Sequence, residues 1–116
     1  MNKKVIAIDV DGTLFTQVGT KGTEPPNYLG EWLPGAKDAL RLLKDRGYTI
    51  RIMSGRVWHG FANWQEQVDL LRQRFLDDMV PFDSIESKPG DATLFIDDLG
   101  IPFENNWTDV LKRLLL

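Results

Sequence analysis

Two aspartates, Asp9 and Asp11, stand one residue apart where a short apolar, β-branched run gives out, and Gly12 and Thr13 follow them. Like charges so close repel, and a chain that places them at a strand end has a cation or a proton transfer to offset the cost. Further groups that can do chemistry recur along the chain: Ser54-Gly55-Arg56, then Lys88, then the adjacent pair Asp97-Asp98. Carboxylates with no histidine or cysteine among them make a hard oxygen site, suited to magnesium and poor for zinc or copper. The Ser54 hydroxyl, the backbone amides near Gly12 and Gly55 and the Lys88 ammonium are groups of the opposite kind, aimed at an anion. Magnesium and anion donors in one crevice point to phosphate. A carboxylate held against magnesium can attack phosphorus in line, and a second carboxyl within reach of the leaving oxygen can protonate it.

The elements that must position these groups are legible from periodicity. Residues 4–9 read as a strand buried on both faces of a parallel sheet. The polar stretch TQVGTKGTEPPNYLGEW, rich in Gly, Thr and Pro, has no helical period and reads as a long loop or small hairpin. Pro34 opens a helix whose apolar positions are Ala36, Ala39, Leu40 and Leu43, with Gly47 as its stop. A second strand covers 48–53, and a longer helix ending near Met79 carries Phe61, Trp64, Val68, Leu71 and Phe75 at steps of three and four. FDSIES gives a short third strand and residues 92–96 a fourth. A helix from Trp107 to Leu115, entered through Asn106 or Thr108, closes the pattern. Alternating strands and helices predict a parallel sheet with helices on both faces and right-handed crossovers. In such a sheet the ligand site lies beyond the carboxyl ends of the strands, and all four chemical clusters fall there.

Composition narrows the options. The 116 residues fit one domain, 1–116, and 42% apolar with 27% charged residues is an ordinary globular balance. With no cysteine, disulfides, thiolate catalysis and zinc-thiolate or iron-sulfur sites are excluded. A net charge of −3 does not indicate a nucleic-acid partner. The basic start MNKK is followed by an apolar run that Asp9 ends too early for a signal peptide, and no stretch has the length of a membrane span, so a cytoplasmic protein without a membrane partner is expected.

The motifs DVDGT (9–13), MSGR (53–56), SKPGD (87–91) and FIDD (95–98) resemble, in order and spacing, the four motifs of the haloacid dehalogenase superfamily of phosphohydrolases. The resemblance spans residues 4 to about 115. It implies a three-layer Rossmann-like α/β core with a parallel sheet of four or more strands. It also implies that Asp9 is the nucleophile that becomes an aspartyl phosphate, and that Asp11 is first a general acid and then the base for the attacking water. Thr13 would steady the turn and Asp11, and Ser54, beside Gly55, would bind the phosphoryl oxygens. Lys88 would neutralise charge between Asp9 and the phosphate. Asp9, the backbone carbonyl of Asp11, Asp97 and Asp98 would hold magnesium. Superfamily members that cleave carbon–halogen bonds use neither the second aspartate nor the metal, so the resemblance favours phosphate. The first insertion point, a flap at about 14–33, and the second, between Arg56 and Lys88, are both too short for a cap domain. A capless site favours a bulky phosphorylated substrate or a lid lent by a partner subunit.

Blander readings accompany several of these residues. Ser54 taken alone reads as a turn residue, Lys88 as a solvated loop lysine, and Arg56 as either a phosphate or substrate contact or half of a surface salt bridge. His59 has a surface or substrate-edge role, and Lys21 and Trp32 are flap positions that could touch substrate. Phe61, Trp64 and Val68 are core positions before they are ligand contacts. The rival functions are a receiver-like phosphoacceptor and a magnesium-binding interaction module with little turnover. Within enzymes the variants are a nucleotidase, a sugar-phosphate phosphatase and a nucleic-acid-end phosphatase.

Overall fold

The structure is a computed structural model and describes residues 4–20, 23–87 and 107–115. Its elements are β1 (Lys4–Ile8), α1 (Ala36–Asp45), β2 (Tyr48–Ser54), a short 3-10 turn (Gly55–Val57), α2 (Trp64–Asp77), β3 (Ser84–Ser87) and α3 (Trp107–Leu115). The three strands form one parallel sheet in the order β1-β2-β3. Lys4 pairs with Tyr48 and Ile8 with Ile52, while Arg51 pairs with Ser84 and Ser54 with Ser87. The fourth strand expected at 92–96 lies outside the described residues.

Both crossovers step in the same direction along the sheet, so right-handed connections put α1 and α2 on one face. Arg41 of α1 accordingly donates to the carbonyls of Asp78 (2.8 Å) and Met79 (3.4 Å) at the end of α2. Burial follows the pleat. Ile8, Tyr48, Ile50, Ile52 and Ser54 are buried on the covered face, whereas Val5 and Ala7 on the other face of β1 are exposed. β1 therefore departs from the two-sided burial that its composition predicts, and among the described residues the sheet has one clearly covered face.

The expected apolar stripe of α1 is fully buried at Ala36, Ala39, Leu40 and Leu43. The helix starts at Ala36 because Gly35, at φ 83°, takes the left-handed turn that Pro34 leads into. α2 begins three residues later than Phe61, which sits in the preceding turn, and its buried stripe is Gln67, Leu71 and Phe75. Trp64 and Val68 are only half-buried.

The flap is anchored at its base as a small hairpin. Thr16 N donates to the Glu31 carbonyl (2.8 Å), Leu33 N to the Leu14 carbonyl (2.7 Å), and Phe15 bridges antiparallel to Trp32. Gly30 is required there, since a Cβ would stand 2.1 Å from Thr16 Oγ1 and 2.4 Å from the Thr16 carbonyl oxygen. Trp32 is half-buried and packs against the core. Its ring lies 4.3 Å from that of Phe15 and 5.3 Å from that of Phe75, and its Nε1 donates to Asp78 (2.6 Å). No helix among the described residues is long and apolar enough to cross a membrane.

Candidate active site

β1 ends at Ile8, and residues 9–15 form a tight loop around one carbonyl. The Val10 oxygen accepts from the amides of Thr13 (3.2 Å), Leu14 (2.9 Å) and Phe15 (3.2 Å), and Gly12 N donates to the Phe15 carbonyl (2.7 Å). Gly12 lies at φ 81°, where a side chain is strained. Val10, Leu14 and Phe15 point into the core and are fully buried, so Asp9 and Asp11 are left half-buried at the sheet edge. Asp9 Oδ1 accepts from Val10 N at 2.8 Å, which fixes the carboxylate against its own backbone. The half-buried Thr13 is tied through its carbonyl to α3, accepting from Trp107 Nε1 at 3.0 Å.

The neighbouring strand supplies the second half. In the β1–β2 register Ile8 faces Ile52, so Ser54 ends β2 beside the aspartate loop. Ser54 is 1% exposed and its Oγ accepts from Arg56 N at 3.0 Å, capping the 3-10 turn. The turn-residue reading of Ser54 is thus realised, yet a hydroxyl that accepts there keeps its own O–H to donate.

Arg56 corrects one expectation. It is no surface salt bridge: only 4% exposed, it forks onto Asp11 with Nε to Oδ2 at 2.7 Å and Nη2 to Oδ1 at 2.8 Å. Its Nη1 donates to Gln67 Oε1 (2.8 Å) and to the Pro26 carbonyl in the flap (3.1 Å). A guanidinium has five N–H groups, and four are engaged. Both Asp11 oxygens accept, as in an ionised carboxylate held bidentately.

Gln67 is the participant that periodicity missed. Its signal was present: it lies four residues before Leu71 and eight before Phe75, a polar residue on an apolar stripe, and it is fully buried. Its Nε2 donates to Asn27 Oδ1 (2.7 Å) and the Pro26 carbonyl (3.2 Å). Asn63, just before α2, donates through Nδ2 to the Pro25 carbonyl (2.8 Å) and Asn27 Oδ1 (3.0 Å), and its N–H to Glu24 Oε1 (3.2 Å).

His59 is exposed and stacks on Trp64 with ring centroids 4.0 Å apart, while Trp58 meets Phe61 edge to face at 5.1 Å. Neither cluster hydrogen-bonds the aspartate loop. Lys21, Lys88, Asp97 and Asp98 lie outside the described residues. Among the described residues no three carboxylate, histidine or cysteine side chains gather as a metal site. The donor chemistry at the end of β1 nevertheless fits magnesium, since Asp9 offers hard oxygen. With its side chain committed to Arg56, Asp11 would serve the metal through its backbone carbonyl.

No family model and no curated protein matches the chain. Solved structures do. A structural-genomics target from Vibrio cholerae superposes with a TM-score of 0.59 at 16% identity, covering 96% of this chain and 98% of that one. D,D-heptose 1,7-bisphosphate phosphatase from B. bronchiseptica, complexed with magnesium and phosphate, superposes with a TM-score of 0.52 at 17% identity. That match covers 97% of this chain and 64% of the phosphatase. The likeness is one of fold: the chain shares the α/β fold of these two structures.

Proposed function

We propose that this chain is a magnesium-dependent phosphomonoester hydrolase that works through an aspartyl phosphate on Asp9. The observation that carries the reading is the Arg56–Asp11 pair, which joins the loop after β1 to the turn after β2 at one sheet edge and leaves Asp9 and Ser54 on adjacent strand ends. The structural likeness to a phosphatase complexed with magnesium and phosphate supports it.

In the first half-reaction an Asp9 oxygen forms a bond to phosphorus as the ester oxygen leaves, and Asp11 passes a proton to that oxygen. In the second, Asp11 takes a proton from water, the water oxygen bonds to phosphorus, and inorganic phosphate departs with Asp9 restored as a carboxylate. The Arg56 fork presents Asp11 ready for the base role, whereas the acid role requires one arm of the fork to open. The Ser54 hydroxyl and the amide of Gly55 would receive phosphoryl oxygens. Lys88, Asp97 and Asp98 retain the roles that the resemblance implies. Magnesium, bound by Asp9, the Asp11 carbonyl and Asp97 with Asp98, would neutralise phosphate charge. The protein is proposed to be cytoplasmic and capless, with a bulky phosphorylated substrate or a lid from a partner subunit.

The test is a panel of phosphate monoesters assayed with magnesium and with excess chelator, together with a burst experiment. Turnover is expected to depend on magnesium, and small sugar phosphates to show high KM because no cap encloses them. Asp11→Asn is expected to release about one equivalent of nitrophenol from nitrophenyl phosphate and then stall with phosphate on residue 9, since a nitrophenolate leaves without an acid. Asp9→Asn gives neither burst nor adduct. Near-parental alkyl phosphate turnover by Asp11→Asn would make Asp11 structural and favour the phosphoacceptor reading.

A further inference from the structure

Arg56 is held from two sides, and only one side is Asp11. Behind it, Gln67 Oε1 and the Pro26 carbonyl both accept from Nη1, at 2.8 and 3.1 Å. Gln67 is itself fixed by its two donations to Asn27 and Pro26, and Asn63 at the head of α2 holds the same segment by donating to Asn27 and to the neighbouring Pro25 carbonyl. A fully buried glutamine costs free energy unless its polar atoms are matched. On a stripe otherwise formed by Leu71 and Phe75 an apolar residue would pack as well, so what the amide adds is orientation. A guanidinium is a rigid plane. Fixing Nη1 fixes where Nε and Nη2 point, and hence where the Asp11 carboxylate is held.

We propose that Gln67 is a positioning residue for Asp11. Acting through Arg56, and with the Pro26 carbonyl, it makes the flap segment from Glu24 to Asn27 part of the mounting of the proton-transferring carboxylate. The consequence for catalysis rests on the phosphatase reading; the mounting itself does not.

Two variants of the full chain test it. Gln67→Leu removes the acceptor from Arg56, and Asn27→Ala, at an exposed flap position, removes an anchor of Gln67 without touching the core. The first measurement is solvent exchange of the Arg56 side-chain Nε–H by NMR. It should be slow in the parent, at least about tenfold faster in Gln67→Leu, and accelerated to a lesser degree in Asn27→Ala. Unchanged exchange in both variants overturns the mounting, whatever the activity. The second measurement compares an alkyl phosphate with nitrophenyl phosphate. Gln67→Leu should lower kcat on the alkyl ester by about tenfold with KM nearly unchanged, and lower it less on the nitrophenyl ester, which needs no acid. Placed on Asp11→Asn, it should leave the nitrophenol burst rate where Asp11→Asn alone sets it. Equal losses on both esters, or a full further loss in the double variant, overturn an action through Asp11. Failure of the phosphatase reading would appear separately, as a parent with no magnesium-dependent hydrolysis, and the exchange measurement would then decide the mounting alone.

Discussion

Arg56 and Ser54 show how one side chain can serve structure and chemistry together. Removing the guanidinium by Arg56→Met strands a carboxylate whose side chain is only 16% exposed. That variant should lose about 3 kcal/mol of stability in urea unfolding, and Arg56→Lys should fall between it and the parent, because a point charge cannot fork onto two oxygens. Ser54→Ala separates the two roles of that hydroxyl. Loss of the cap on Arg56 N should cost about 1 kcal/mol, whereas loss of a phosphate donor should cut kcat/KM by more than the folded fraction explains, on the order of tenfold or above. If activity falls only in step with the folded fraction, Ser54 is a cap and nothing more.

At the scale of elements, the flap is the piece that most shapes the site, and its closure at the base depends on a close approach of backbones. Gly30→Ala would drive a methyl into both the hydroxyl and the carbonyl of Thr16. The carbonyl cannot swing aside, so the hairpin base must open, at a cost of about 1–3 kcal/mol. Thermal unfolding of that variant checks the loss, and the Arg74 donation to the Gly30 carbonyl (3.0 Å) should weaken with it. α3 acts on the neighbouring aspartate loop. Trp107→Phe removes the bond to the Thr13 carbonyl and should cost about 1 kcal/mol while leaving the buried ring in place.

For the whole molecule, acid sensitivity comes in part from two carboxyls at the sheet, Glu86 and Asp83. Arg51 and Ser84 both donate to Glu86, and these bonds lower its carboxyl from the ordinary 4.5 to about 2. Asp83 is also lowered, first by the Ile50 amide and then by Lys44. A carboxyl whose folded pKa is depressed contributes stability above its unfolded pKa, and that contribution is lost as pH falls through the folded value. Stability should therefore decline between pH 4.5 and about 2. Glu86→Gln should flatten part of that decline in urea titrations at successive pH values. The effect is modest, because the Arg51 and Glu86 side chains are 43% and 33% exposed and water screens them.

The described elements were readable from sequence because they follow local rules. The stripe Ala36, Ala39, Leu40, Leu43 obeys the helical period, residues 48–54 alternate as a strand must, and the DVDGT and MSGR motifs announce themselves at strand ends. The boundaries moved by a few residues, as at Phe61, which sits in the turn before α2. What tertiary structure decided was how side chains distant along the chain are spent. Trp32, a flap position, packs on the core because the flap folds back on Phe15 and Phe75. Arg56 was open between a site contact and a surface salt bridge, and it is buried because Asp11, 45 residues earlier, Pro26, 30 residues earlier, and Gln67, 11 residues later, converge on it from two loops and a helix. Periodicity records which face a residue occupies. Which distant donor meets which acceptor depends on strand register and loop path, and those exist only once the chain has closed on itself.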